Sequence, residues 1–285
     1  MKIVECPRDA MQGIKDFIPT SSKIRYINHL MKVGFHTIDV GSFVSHKAVP
    51  QMRDTSEVID GLDIVNPDTK LLTIIANIRG ALEASEYSQI SYLGFPLSVS
   101  EEFQYRNTNK TINQSLIMVE QVQDICIKKN KELVIYLSMA FGNPYGEHYH
   151  TDIVAGITSK LNDLEIPVVS LSDTTGVSNH ENISNLFITL IKEYPDIEFG
   201  AHFHSLFERA DDKIKSAYFS GCRRFDSAIN GYGGCPMAQD DLVGNIATEQ
   251  LIHFMESQNL TYHLSEFDIA VNNFQKIILG ISNNN

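Results

Sequence analysis

Short apolar runs rich in β-branched residues alternate along this chain with longer stretches whose apolar positions repeat at helical spacing. The runs Lys2–Glu5, Phe35–Val40, Lys70–Ala76, Gln89–Phe95, Glu132–Ser138, Pro167–Leu171, Asp196–Ala201 and Arg224–Ser227 read as strands. The first intervening helix is capped by Thr20 or Ser21, presents Ile24, Ile27, Leu30 and Met31 on one face, and ends at Gly34. Further helices are predicted over Ser56–Gly61, Gly80–Glu86, Thr111–Lys129, His150–Leu161, Asn179–Glu193 and Glu208–Ser220, and two more near 246–257 and 264–281. Eight strands, recurring at roughly the length of a βαβ unit, predict parallel pairing closed into an α/β (β/α)8 TIM barrel. An open doubly wound sheet would want a glycine-rich phosphate turn after the first strand, and ECPRDAMQG has none. The expected organisation is one catalytic domain over 1–285, with 246–285 as C-terminal helices.

In such a barrel the chemistry comes from the C-terminal strand ends. Arg8, Asp9 and Gln12 follow the first strand, Asp39, Ser42 and Phe43 the second, and Asn77 the third. Ser138 and Asn143 follow the fifth, Ser170, Asp173 and Thr174 the sixth, and His202 and His204 end the seventh. Asn230, Cys235 and Asn245 follow the eighth. Side chains at i and i+2 of a strand point the same way, so His202 and His204 can bind one metal. They can equally be two hydrogen-bonded structural histidines. Asp9, from the strand that closes the barrel, can reach the same point, and two imidazoles with one carboxylate suit Mg, Mn, Co or Zn.

The run Gly231-Tyr-Gly-Gly-Cys-Pro236 reads as a mobile lid carrying Cys235, a thiol with little core to occupy and a candidate general acid. Arg8 is either half of a surface ion pair with Asp9 or a fixed guanidinium for a developing enolate oxygen. Asn245 and Glu249 share one face at a helix start; Asn245 offers an amide oxygen to the metal or serves as an N-cap. Lys47 is either a solvated lysine or a partner for an anionic phosphate.

Composition narrows the classes. The 285 residues are 43% hydrophobic with a net charge of −12, a globular balance that argues against a broad nucleic-acid footprint. No apolar run is long enough for a membrane span, and the N-terminus has no signal-peptide layout. Four cysteines without a CxxC suit a reducing cytoplasm and argue against a disulfide scaffold.

The motifs PRDAMQ, SFVSHKAVPQM, SLSDTTGV, AHFH and SAINGYGGCPMAQ followed by GNIATE resemble, almost end to end, the 3-hydroxy-3-methylglutaryl-CoA lyases of the DRE-TIM metallolyase group. The GGCP loop is the most specific of them. The resemblance implies cleavage of the acyl-CoA into acetyl-CoA and acetoacetate, in leucine breakdown or ketone-body formation. It implies a divalent Mg or Mn on Asp9, His202, His204 and Asn245, with Arg8 on the enolate and Cys235 in proton transfer. His202, with Asp39 as rival, is expected as the base, and Glu249 as a functional carboxylate. Gln12, Ser42, Asn77, Ser138, Ser170, Asp173 and Lys47 are the expected substrate contacts, and a homodimer is the expected assembly. The alternatives are an aldolase or Claisen-type synthase of the same group, acting on a related 3-hydroxy acyl-CoA or a 2-oxo acid, and a degenerate barrel kept as a binding protein. The sequence departs from the family at Ala10, Asp39, Met139, Asn143, the stretch Gly94–Asn109 and the segment between Cys235 and Asn245.

Overall fold

A computed structural model describes residues 1–234, 243–259 and 264–280. Eight parallel strands close on themselves: β1 (Lys2–Glu5), β2 (Thr37–Ser42), β3 (Lys70–Ile74), β4 (Ile90–Ser98), β5 (Glu132–Ser138), β6 (Val168–Asp173), β7 (Glu198–Ser205) and β8 (Arg224–Ser227). β1 pairs with β8 at Val4↔Asp226, and β6 with β7 at Ser172↔His202, so no edge is left open. The predicted eight-stranded barrel is the observed fold. A short ninth strand, β9 (Gly244–Asn245), adds antiparallel to β7 with Asn245 opposite His204.

The helices form where caps and spacing dictate. Each of the following packs around the barrel: α1 (Pro7–Gln12), α2 (Thr20–Val33), α3 (Thr55–Asp60), α4 (Ile78–Ser85), α5 (Glu101–Thr108), α6 (Ile112–Lys129), α7 (Thr151–Asp163), α8 (His180–Glu193) and α9 (Phe207–Phe219). α10 (Thr248–Ser257) and α11 (Leu264–Ile278) follow. α6 opens with a reciprocal capping box, Thr111 with Gln114. α2 stops at Gly34, whose φ of 92° is the left-handed turn glycine adopts without strain. α11 seals the side of the barrel, with Phe274 stacked on Tyr26 at 5.2 Å and edge-on to Tyr232 at 5.4 Å.

Sequence periodicity misses α1, α5 and β9. Two helical turns or fewer give no repeat to detect, and Pro7 and Ser100 are their only written signals. β4 also runs to Ser98 rather than Phe95, through Pro96.

Glu5 closes the barrel seam. It is fully buried, accepting the Ile229 backbone N–H at 3.1 Å and the Thr248 hydroxyl at 2.5 Å. Burial, opposed by those two bonds, lifts its pKa from 4.5 to about 8. The folded protein therefore keeps a proton that the unfolded chain loses, and stability falls as pH rises from about 4.5 to about 8. Glu5→Gln, neutral throughout, should flatten that fall in urea midpoints taken across the window. A wild-type slope in the variant would show that Glu5 is already ionised in the fold.

Candidate active site

Two strand ends, those of β1 and β7, bring Asp9, His202 and His204 together at the barrel mouth, with one ligand atom from each within 4.8 Å of the others. Asp9 reaches the point because Pro7 starts α1 directly after β1, which turns the carboxylate inward. His204 hydrogen-bonds the Thr174 carbonyl through Nδ1 at 3.0 Å, and its Nε2 is buried with no partner. Burial, reinforced by the charge of His202, lowers the His204 pKa to about 4, so the ring is neutral and Nε2 carries a free lone pair. His202 hydrogen-bonds Asp226 through Nδ1 at 3.0 Å. Burial alone would lower the His202 pKa, but the bond and the charge of Asp226 outweigh it and raise it.

A carboxylate and two imidazoles, each held through Nδ1, fit a divalent cation, and the unpartnered Nε2 of His204 is the clearest sign. Asp226, on β8, is the functional residue the sequence reading passed over. An aspartate at a strand end carries no motif, and only barrel closure sets it under His202. Asp226→Asn should lower cation affinity roughly 10–100-fold with the fold intact, as lost outer partners of metal histidines do. Calorimetric titration with Mn would read it, and wild-type affinity would reduce Asp226 to a packing role.

Asn245 is at the site. Its amide nitrogen donates to Asp9 Oδ2 at 2.6 Å and to the Tyr232 carbonyl at 2.9 Å. Asn245 thus stands in direct contact with one of the three triad residues. It is not an N-cap, since α10 starts after Ala247. Gly233 presses on the same pair. A Cβ there would stand 2.7 Å from the Asn245 amide nitrogen and 2.8 Å from the Asp9 carbonyl oxygen. Close approach, rather than mobility, requires this glycine. Cys235 lies outside the described residues.

Arg8 is no surface pair. Nε and Nη2 both contact Asp39 Oδ2, at 2.9 and 2.6 Å. Nη1 reaches Asp9 Oδ1 at 3.1 Å and Gln12 Oε1 at 2.9 Å. Burial works against the guanidinium charge, but Asp39 and Asp9 more than offset it and push its pKa up. Burial raises Asp39 to about 6 despite Arg8. Burial pushes Asp9 up as well, but Arg8 and the two histidines hold it below its ordinary value.

Arg8, Asp9, Gln12, Ser42, Ser138, Ser172, Thr174, His202 and His204 line a cavity of about 450 Å3, walled opposite by Val49, Ile74, Pro96 and Phe103. Asn77 and Lys47 line an adjoining cavity of about 340 Å3 that shares Ser42 and Val44 with it. Asp39 is fully buried behind Arg8 and does not line the main cavity. Ser170 and Asp173 do not line it either. Ser170 contacts Asp226 at 3.4 Å, and Asp173 is bound to Lys213 at 2.6 Å and to the backbone N–H groups of Val177 and Ser178. Glu249 accepts the Asn230 backbone N–H at 3.0 Å, at the base of the glycine-rich turn.

The HMGL-like family matches residues 2–275 of the chain. A cytoplasmic 3-hydroxy-3-methylglutaryl-CoA lyase of Rattus norvegicus is 34% identical over 263 residues, covering 91% of this chain and 75% of the relative. A hydroxymethylglutaryl-CoA lyase of Bacillus subtilis is 32% identical over 254 residues, covering 89% and 84%. A solved HMG-CoA lyase from Acinetobacter baumannii, in complex with coenzyme A and 3-methylmalate, superposes with a TM-score of 0.90 at 30% identity, covering 99% of this chain and 93% of that one. With its barrel, its Asp-His-His mouth and these relatives, the chain belongs to the HMGL-like family, as an enzyme of the hydroxymethylglutaryl-CoA lyase type.

Proposed function

We propose that the Asp9–His202–His204 cluster holds Mg or Mn and that the chain cleaves 3-hydroxy-3-methylglutaryl-CoA to acetyl-CoA and acetoacetate around it. The observation that carries the reading is the convergence of those three ligands with a fixed Arg8 in one cavity. A bound cation would polarise the tertiary hydroxyl of the substrate and ease loss of its proton.

The side chains supply the rest. Of the two candidate bases, only His202 faces the cavity, with Asp226 behind it to steady a gained charge. Its Nε2 is a single lone pair, so at any instant it serves either the cation or the proton. Loss of the proton breaks the carbon–carbon bond and leaves an enolate on the acetyl-CoA side. Arg8, locked by Asp39 and Gln12, is placed to hold the enolate oxygen without reorganising. Cys235 returns the proton to carbon. Lys47, Arg53 and Arg79 outnumber Glu83 in the lining of the adjoining cavity, a positive balance in a chain of net charge −12, and this suits the phosphates of coenzyme A. Among the described residues no helix is long and apolar enough to cross a membrane. The buried free thiols of Cys6, Cys126 and Cys222 are at home in a reducing cytoplasm.

The direct test is release of acetyl-CoA and acetoacetate, one to one, from the acyl-CoA by metal-loaded protein. Condensation of acetyl-CoA with a 2-oxo acid instead would overturn the reading. Cys235→Ser should bind Mn like wild type yet lose roughly 10²–10⁴ in turnover, as expected for a lost general acid. Turnover at the wild-type rate would assign the proton to another group.

A further inference from the structure

We propose that Lys213, on the outer helix α9, is a positioning residue that holds His204 in the orientation a metal ligand needs. This role rests on the metal reading above and goes further, to how the protein fixes the ring before any metal arrives.

α9 turns Ala210, Lys213, Ile214 and Ala217 to the barrel at helical spacing, so a lysine stands where packing alone calls for an apolar side chain. It is only 3% exposed. A buried ammonium is costly unless it is paired and its three donors are used. Here all three are used. Nζ donates to Asp173 Oδ2 at 2.6 Å, to the Gly176 carbonyl at 3.0 Å and to the His204 carbonyl at 3.0 Å.

The partners belong to two pieces of the site. His204 is the ligand itself, at the end of β7. Asp173 and Gly176 frame the turn after β6, and within that turn the Thr174 carbonyl accepts the His204 Nδ1 proton at 3.0 Å. Asp173 is available because alternation along β6 turns it out of the mouth, level with Phe203 of β7. Its carboxylate also accepts the backbone N–H groups of Val177 and Ser178 at 2.9 and 3.0 Å, so the turn is wound around it.

One ammonium therefore joins the strand that carries the ligand to the turn that carries its acceptor. The separation of the ring from the Thr174 carbonyl is set by that brace. With it is set the tautomer, because the bond at one ring nitrogen decides which nitrogen holds the proton. A proton kept on Nδ1 leaves Nε2 free for a cation. An apolar side chain of the same length would fill the space under α9 and join nothing.

The test reads the ring directly, by NMR of metal-free protein carrying isotope-labelled histidine at neutral pH. Wild-type His204 should show one tautomer with the proton on Nδ1, its signals assigned by their loss in His204→Ala. Lys213→Met alone strands the buried Asp173 carboxylate and loses stability on that ground, so it is combined with Asp173→Asn, which leaves the interior neutral. In this double variant the ring should populate the Nε2–H tautomer as well. Mn affinity by calorimetry should fall roughly 10–100-fold, as when an outer partner of a metal histidine is lost. Lys213→Gln with Asp173→Asn differs from it only at residue 213. The amide has a similar reach and two donors for the Gly176 and His204 carbonyls, and should restore the single tautomer and most of the affinity. Equal readings from the Met and Gln variants would overturn the proposal, as would a Gln variant that folds with a mixed ring. If wild-type protein holds the Nδ1–H ring yet takes up no Mn, the metal reading falls, and the tautomers alone decide on Lys213.

Discussion

His204→Ala should bring turnover to the background rate and abolish high-affinity Mn binding, with the barrel still folded by circular dichroism. The ring is neutral, its Nδ1 is tied to a backbone carbonyl, and its unpartnered Nε2 faces Asp9. Deleting it removes a ligand outright. The loss should therefore exceed the roughly 10–100-fold expected when an outer partner such as Asp226 is changed. Chelation of the wild-type protein should produce the same silence, reversed by Mg or Mn. Full activity in chelator-treated, metal-free protein would end the metal reading.

Arg8→Lys should lower kcat by roughly 10²–10³, the range seen when a charge-stabilising donor is removed from an active site. An ammonium cannot span Asp39, Asp9 and Gln12 with a planar fork, so the charge would no longer be fixed at one point. The fall should appear in kcat, because the contact strengthens only as the enolate forms. Lysine keeps a positive charge beside the fully buried Asp39, so the variant should stay folded while kcat falls. A change confined to KM would make Arg8 a substrate anchor.

The barrel is legible in the chain because parallel strands buried on both faces are written as β-branched runs, and eight of them at regular spacing leave few folds. The triad is legible for a related reason. His202 and His204 stand two apart on a strand, and Asp9 follows the strand that must close the circle. What stays hidden depends on closure itself. Asp226 reads as an ordinary strand residue until β8 pairs with β7 and places it under His202. Ser170 and Asp173 read like site residues because they follow a strand. One carries Asp226 from below, and the other ties Lys213 to the loop before α8. Both in fact lie within β6, where Ser170 shares the face of Ser172 one layer deeper and Asp173 alternates to the opposite face. Asn245 is placed correctly by its motif, but its amide orientation is set by Tyr232 and Asp9, which no local pattern encodes.

The bond between Asn245 and Asp9 spans 236 residues of sequence. At the roughly 5–20 residues per second of synthesis, the ribosome holds an unfinished mouth for tens of seconds after Asp9 has emerged. The two imidazoles are made late, and the strand that carries Asn245 is later still. A nascent chain therefore has a lone carboxylate and no place to trap a wrong transition metal while it is being made. A cation taken up by the triad would meet its full set of ligands only once the circle is complete, when geometry as well as affinity can decide its identity. A chain cut before β9 would keep all three triad ligands yet lack the amide that holds Asp9 in place.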